Sequence, residues 1–581
     1  MPPKTANPLR LNQQDAARLP RRYLILMALL YIIPGLAWRG VWRQEAASFG
    51  VMLTMANGAL SDWLGPNVAG LPLSNTGPLP YWLGAVFIKF LSGVFSSFHA
   101  AQIGIACQNF ISMVLLWRSV YYLGKRDELQ PQRLAFGGEP MAKDYARMLA
   151  DSAVLLMIAT YGVAAHSHDV SEGATLLMAS LLWLNGAVSS LTRPLSGRWL
   201  WAIGLAALGL TLPLTLFVFF VAVTLGVLFF THWRESSMQI DPVVLLIGLG
   251  LTAAWYFALS NDNEFFSLWL SEQHFAPLSS RDLSFFGRNI FIFTWPIWPL
   301  ALWCIWRWKA RWQSPMMVLG LALLLAPLLH LFIAGQRYDE SMLFFIPGLL
   351  VLAPFGLATL NRGRANIIDW FSLITFSSAA LLIWLFWIAS WTGVPEGLAK
   401  NVFKLAPTFQ MVFKWWPFLI ACFVTLAWLA VLRWRVYFQP SALWKSVALS
   451  SSGLVMVWVL LATLAMPWLD FTRSYEQTGK SLAKQLPVQT TCVHGDDLAI
   501  SARGAMQYYA DVPFVPVREA FTDVRCPYIL TTAEALAGHE SVNAENETSE
   551  TYHLKDRTWH KVWSGERISE RDNPLILLRQ N

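Results

Sequence analysis

Apolar runs of about twenty residues recur along most of this chain, each long enough to cross about 30 Å of hydrocarbon as a helix. Few other features constrain a fold so strongly. A backbone in lipid must satisfy its own polar groups, so repeated apolar runs point to a bundle of spanning helices. The composition agrees. Of 581 residues, 55% are hydrophobic and only 14% charged, where a soluble domain carries about a quarter charged. The 30 Trp suit anchoring at membrane–water interfaces. The net charge of +7 resides in short loops between apolar runs. No basic stripe is interleaved with aromatics, so the charge reads as membrane orientation rather than nucleic-acid binding.

Orientation fixes the count of spans. The first run, from Tyr23 to Trp38, follows a basic flank with Lys4, Arg10, Arg18, Arg21 and Arg22, and no clear small-residue cleavage site follows it. It reads as an uncleaved span with a cytoplasmic N-terminus. Residues 79–97 are apolar but carry Lys89. Counting them as a span would place Lys125, Arg126, Arg133, Lys143 and Arg147 outside, so they read as a juxtamembrane or re-entrant segment. The next span is then 100–123, followed by 149–166, 171–190, 199–211, 213–231, 240–259, 288–308, 314–334, 342–360, 367–390, 415–432 and 446–468. With this parity the basic residues Arg193, Arg198, Arg234, Lys309, Arg311, Arg362, Arg364, Arg433 and Arg435 share the cytoplasmic side. The expectation is about thirteen spans over 1–468 and a soluble outer α/β domain over 469–581. The pair 199–231 is interrupted by Pro213, which breaks one long run into two short helices.

Polar residues gather on the outer side, at 40–80, 166–172, 260–287 and 335–341. Within the first of these, Phe49, Met52, Leu53, Ala56 and Leu60 share a helical face, the pattern of a helix lying in the interface. The C-terminal region suggests a helix near 478–486 and strands at 528–531 and 575–578. Cys107, Cys304 and Cys422 fall in apolar runs. Cys492 and Cys526 fall in the exported region and are candidates for a disulfide or for two free thiols.

Chemistry-bearing residues occur in several of these outer segments. Trp42-Arg43-Gln44-Glu45 follows the first span. A carboxylate there is a solvated loop charge, a ligand for a divalent cation, or a general base toward an acceptor hydroxyl or amine. His166-Ser167-His168-Asp169 and Glu172 form an outer hairpin whose spacing matches no familiar metal motif. Glu272-Gln273-His274 precedes Trp295-Pro296-Ile297-Trp298. Gln336-Arg337-Tyr338-Asp339 offers a guanidinium fork for phosphate, or an arginine that pairs with Asp339 or snorkels to headgroups.

Taken in order, these segments resemble the GT-C class of membrane glycosyltransferases, in the branch holding lipid A aminoarabinose transferase and the protein O-mannosyltransferases. The resemblance rests on Gln44-Glu45 in place of the acidic motif after the first span. It also rests on Trp63-Leu64-Gly65-Pro66-Asn67-Val68-Ala69-Gly70 and on Pro78-Leu79-Pro80-Tyr81-Trp82. Gln273-His274 stands where a later Glu-His motif would be, and Arg337-Tyr338 where a basic-Tyr segment precedes a late span. Two departures accompany it. The usual Asp-Glu pair is Gln44-Glu45, and Glu-Lys-Pro-Pro is replaced by Asn75-Thr76-Gly77-Pro78, which lacks the lysine.

The resemblance implies a polyprenyl-phosphate (undecaprenyl-phosphate) sugar donor and a lipid, glycan or protein acceptor on the periplasmic face of a bacterial inner membrane. Glu45 and Glu172 would be catalytic. Arg337, Tyr338, His274 and Arg43 would serve the donor phosphate, and a divalent cation is an open expectation. A non-catalytic binder or transporter of lipid-linked sugar is the alternative, since one carboxylate of the acidic motif is missing.

Overall fold

The computed structural model describes the chain except residues 1–7, 14–15, 17–18, 37–38, 74–75, 231–241, 262, 272–278, 335–338, 438–441, 488, 496, 517–525, 537–540, 543–550, 555–556, 572 and 581. Helices dominate it. The first ten are α1 (Arg21–Ile32), α2 (Arg43–Asn57), α3 (Leu60–Leu64), α4 (Leu79–Leu91), α5 (Ser97–Gly124), α6 (Ala142–Ala159), α7 (Tyr161–His166), α8 (Gly173–Ser190), α9 (Pro194–Gly209) and α10 (Leu214–Phe230). Among the described residues six helices are long and apolar enough to cross a membrane: Ser97–Gly124, Gly173–Ser190, Pro315–Ile333, Gly363–Thr392, Trp415–Tyr437 and Ser446–Arg473. A seventh arises if Ser280–Phe293 and Ile297–Arg311, bent by 93°, count as one.

Many apolar runs form shorter helices because the chain breaks them. The run expected over 149–166 is α6 and α7, parted at Thr160, whose backbone is extended. The Tyr161 N–H leaves the helical ladder to donate to the Trp295 carbonyl at 3.1 Å. The expected interruption near Pro213 is present, with α9 ending at Gly209 and α10 starting at Leu214. That gap has an occupant. Leu79 N–H donates to the Leu210 carbonyl at 2.9 Å, and Gly77 lies so close to the Leu210 carbonyl that a Cβ would collide with it. Residues 79–91, expected as a juxtamembrane or re-entrant segment, are the 13-residue helix α4.

The amphipathic stretch after the first span departs from expectation. It forms α2, but α2 does not lie on a surface. Ala46, Phe49, Val51, Met52 and Met55 are all fully buried, while Leu60 falls outside the helix and is exposed. The helix is enclosed between α4, α5 and a C-terminal helix, Ile500–Ala510, and these share one core with Tyr475, Leu482, Val493, Leu530 and Leu577. The crossing is close because both sides are small. A Cβ on Gly50 would sit 2.8 Å from Gly504 Cα, and one on Gly504 would strike the Ala46 carbonyl.

Arg503, from the same C-terminal helix, is fully buried. It donates to the carbonyls of Val68 (3.0 Å), Ala69 (2.7 Å), Gly495 (3.0 Å) and Val515 (2.8 Å). A buried guanidinium is tolerable because backbone acceptors replace its water. It pins the turn between strands β1 (Asn67–Val68) and β2 (Leu71–Pro72), where Ala69 has φ 46° and Gly70 φ 84°.

The remaining strands lie in the C-terminal region: β3 (Val493–His494), β4 (Tyr528–Thr532), β5 (Ser541–Val542), β6 (Thr551–Leu554), β7 (Arg557–Gly565) and β8 (Leu575–Gln580). They form one sheet in the order β3-β4-β8-β7-β6-β5. The β3–β4 pair is parallel and the others antiparallel. The helix Glu476–Gln485 precedes it. Cys492 and Cys526, one residue before β3 and two before β4, form a disulfide.

Candidate active site

Glu45 is the third residue of α2, and its position follows from helix-end chemistry. The first turn leaves backbone N–H groups without helical partners and carries a partial positive charge. Glu45 Oε1 accepts from the Trp42 N–H at 3.1 Å, closing the end of the helix. The sequence suggested a carboxylate reached by water, but Glu45 is 0% exposed. Its charge is met by the protein instead. The two terminal guanidinium nitrogens of Arg39 donate to its two oxygens, Nη1 to Oε1 and Nη2 to Oε2, the latter at 2.9 Å. The Val170 N–H donates to Oε2 at 2.9 Å.

The Val170 contact brings in the outer hairpin. Asp169 Oδ1 lies 3.9 Å from Arg39, and Gln44 Nε2 reaches Asp169 Oδ2 at 3.5 Å. Two carboxylates therefore share one guanidinium. Burial first, and then the charge of Glu45, push Asp169 up to about 7, against the pull of Arg39. One turn further along α2, Ser48 donates to Glu172 Oε2 at 2.8 Å. The structure thus places both acidic candidates, Glu45 and Glu172, along the start of α2.

The hairpin is held from below. Asn109 on α5 donates to the Ser167 carbonyl at 2.6 Å, and the Tyr31 hydroxyl meets Ser167 Oγ at 2.7 Å. His168 packs against Trp458, ring centroids 4.5 Å apart, with Nε2 2.9 Å from the Tyr31 carbonyl. Burial lowers His168 to about 4, so at neutral pH it is an uncharged structural donor. This explains His168 without a metal. Among the described residues no group of three or more His, Cys, Asp or Glu is arranged to hold a metal ion. At the carboxylate pair the positive charge is Arg39 itself, so that pair as it stands does not fit a cation.

A fourth acid comes from far along the chain. The long helix that ends at Arg473 passes through a π-helical turn at Leu461–Ala465 into Met466–Arg473. Asp470 on that segment accepts from the Gly40 N–H at 2.8 Å and from Trp42 Nε1 at 3.0 Å. Arg39 lies over the Trp42 and Phe98 rings, 4.5 and 5.4 Å from their centroids. Beside it opens a cavity of about 260 Å³ lined by Arg39, Gly40, Ser96, Phe98, His99, Asp470, Glu476, Tyr508 and Tyr509.

The remaining candidates fall elsewhere. Arg43 is largely exposed and forms an ion pair with Glu570, which also meets Arg567 at 2.6 Å. Arg337, Tyr338 and His274 lie outside the described residues. Arg39 and Asp470 were not singled out in the sequence. An arginine after a span reads as a headgroup anchor, and Asp470 lies 430 positions from its partner Gly40.

No protein-family model and no curated protein matches the chain. Solved structures do. The chain is similar to ArnT from Cupriavidus metallidurans bound to undecaprenyl phosphate, with TM-score 0.61 and 14% identity, over 96% of this chain and 97% of that one. It is equally similar to the apo state of that protein, with TM-score 0.59 and 15% identity over the same shares. A fainter likeness to the Archaeoglobus fulgidus oligosaccharyltransferase, TM-score 0.42, adds nothing to these. The chain therefore has the fold of ArnT, nearly end to end.

Proposed function

We propose that this protein transfers a sugar from a polyprenyl-phosphate donor, of the undecaprenyl-phosphate kind, to an acceptor on the outer face of the inner membrane. The observation that carries this reading is the buried Glu45–Arg39–Asp169 cluster, placed where α1 emerges and set in an ArnT fold. The thirteen-span parity, with a cytoplasmic N-terminus and an outer C-terminal domain, belongs to the same proposal. It would put the cluster, Glu172 and the cavity beside Arg39 on the donor's side.

The reaction is a displacement. A hydroxyl or amine of the acceptor bonds to the anomeric carbon, and the carbon–oxygen bond to phosphate breaks with its electron pair on the departing polyprenyl phosphate. The acceptor's proton passes to a carboxylate. Glu45 has both oxygens saturated, so it serves best as the fixed charge that orients Arg39. Asp169 has fewer partners and sits near 7, where a general base works best. Arg39, with Arg337 and Tyr338 as further candidates, would meet the developing phosphate charge. His274 stays a candidate for lining the site, and Glu172 for holding the acceptor.

The saturation of Glu45 also favours a second reading, a protein that binds lipid-linked sugar without transferring it. Mass spectrometry of lipid A, envelope glycans and periplasmic proteins separates the two. Cells lacking the protein are expected to lose one sugar from one component. The wild-type chain restores it, whereas Asp169→Asn and Glu45→Gln proteins at equal abundance do not. Full restoration by both variants would remove the transferase reading.

A further inference from the structure

Along the length of α1, a groove of about 700 Å³ runs between α1, α5 and α6. Its walls and its rim differ in chemistry. The walls are apolar, and Ile25, Leu29, Phe110 and Val114 are each about half exposed. In a spanning bundle such side chains face lipid. The rim carries four arginines from four parts of the chain: Arg21 at the start of α1, Arg118 near the end of α5, Arg147 in α6, and Arg193 between α8 and α9.

One carboxylate faces these cations, and it is engaged. Asp151 accepts from Trp117 Nε1 at 2.8 Å and lies 3.6 Å from Arg147. Arg147 also donates to the Leu19 carbonyl at 3.1 Å. Arg118 lies 5.7 Å from the Tyr122 ring centroid, and its Nε is buried with no hydrogen-bond partner in the described structure. Tyr121 and Tyr122 are the other titratable groups on the walls. The groove therefore joins a surplus of three positive charges to an open apolar trough. From Arg21 to Ile32 that trough is about 16 Å long at 1.5 Å per residue, comparable to an acyl chain.

We propose that this groove is a binding site for an anionic phospholipid of the inner leaflet, its phosphate held by Arg118 and Arg21 and its acyl chains laid along α1. Basic pockets between spanning helices on the cytoplasmic side suit such headgroups. Its charged rim lies at the opposite end of α1 from the carboxylate cluster, and the proposal rests on the cytoplasmic N-terminus proposed above but not on sugar transfer.

Native mass spectrometry of the full chain in detergent tests it, with phosphatidylglycerol as probe, phosphatidylethanolamine as zwitterionic control and undecaprenyl phosphate as competitor. Retention of phosphatidylglycerol over the control is expected, falling about tenfold or more in Arg21→Gln/Arg118→Gln. Ala28→Trp, which keeps every charge and fills the trough, is expected to lower retention as well. Equal retention of the two phospholipids, or unchanged retention in both variants, would overturn the proposal. So would displacement of phosphatidylglycerol by equimolar undecaprenyl phosphate, which would make the polyprenyl lipid the occupant.

Discussion

Arg39 stands between two carboxylates and two aromatic rings, and it makes the burial of Glu45 tolerable. Removing one partner of such a pair leaves an uncompensated charge and costs about 3–5 kcal/mol, whereas replacing both by apolar groups is far milder. Arg39→Ala is therefore expected to melt well below wild type in detergent, and Arg39→Met/Glu45→Leu to recover most of that loss while staying inactive. A double variant no more stable than the single one would deny that the pair is buried. Asp169 makes a separate prediction. Its folded-state value of about 7 lies above the unfolded carboxylate value of about 4. The folded state then binds the extra proton between those values, so stability falls as pH rises across that window. Between pH 5 and 8 the wild type should lose more melting temperature than Asp169→Asn, and equal losses would contradict the shift. Of these residues, Glu45 and Glu172 were legible in the sequence, because acids after apolar runs are conspicuous. Arg39 was not, since its sequence neighbours give no sign that it turns back onto Glu45.

At the level of elements, the break between α9 and α10 was legible from Pro213, and the two C-terminal strands from their β-branched and leucine-rich runs. The enclosure of α2 was not legible. Its apolar face suggested an interfacial helix, because nothing local shows that residues 500–510 cover the opposite side. Gly50 and Gly504 make that packing possible, and Arg503 secures it. Gly504→Val is expected to push α2 from its partner and destabilise the protein by on the order of 1–3 kcal/mol. Because α2 carries Glu45, activity should fall further than stability. Thermal melting with a transfer assay would show this, and a variant equal to wild type in both would mean the crossing is looser than described.

For the whole molecule, charge parity suggested thirteen spans, whereas six described helices meet the length and apolarity of a span, or seven with the bent pair. The two views differ because Thr160 divides one expected span into α6 and α7, and other expected spans are short helices, such as the 12 residues of α1, the 16 of α9 and the 12 of Ile346–Leu357. Parity still yields a test. Phe136 is fully exposed in the loop after α5, which the positive-inside assignment makes cytoplasmic. In a protein with Cys107, Cys304 and Cys422 replaced, Phe136→Cys should react with an impermeant thiol reagent only after the inner membrane is opened. Glu534→Cys, in the C-terminal region, should react before it. The reverse order would invert the topology.

The joint between α2 and residues 500–510 also sets when the protein can first act. A ribosome that has made Glu45 must add about 460 residues before Gly504 exists, roughly 20–90 s at 5–20 residues per second. Throughout that interval the carboxylate cluster lacks the cover of its C-terminal helix, and until Asp470 is made it also lacks the hydrogen bonds from Gly40 and Trp42 to that residue. A nascent chain would thus enter the membrane with this cluster unassembled. The cluster would be completed only once residues 500–510 have been made and packed against α2.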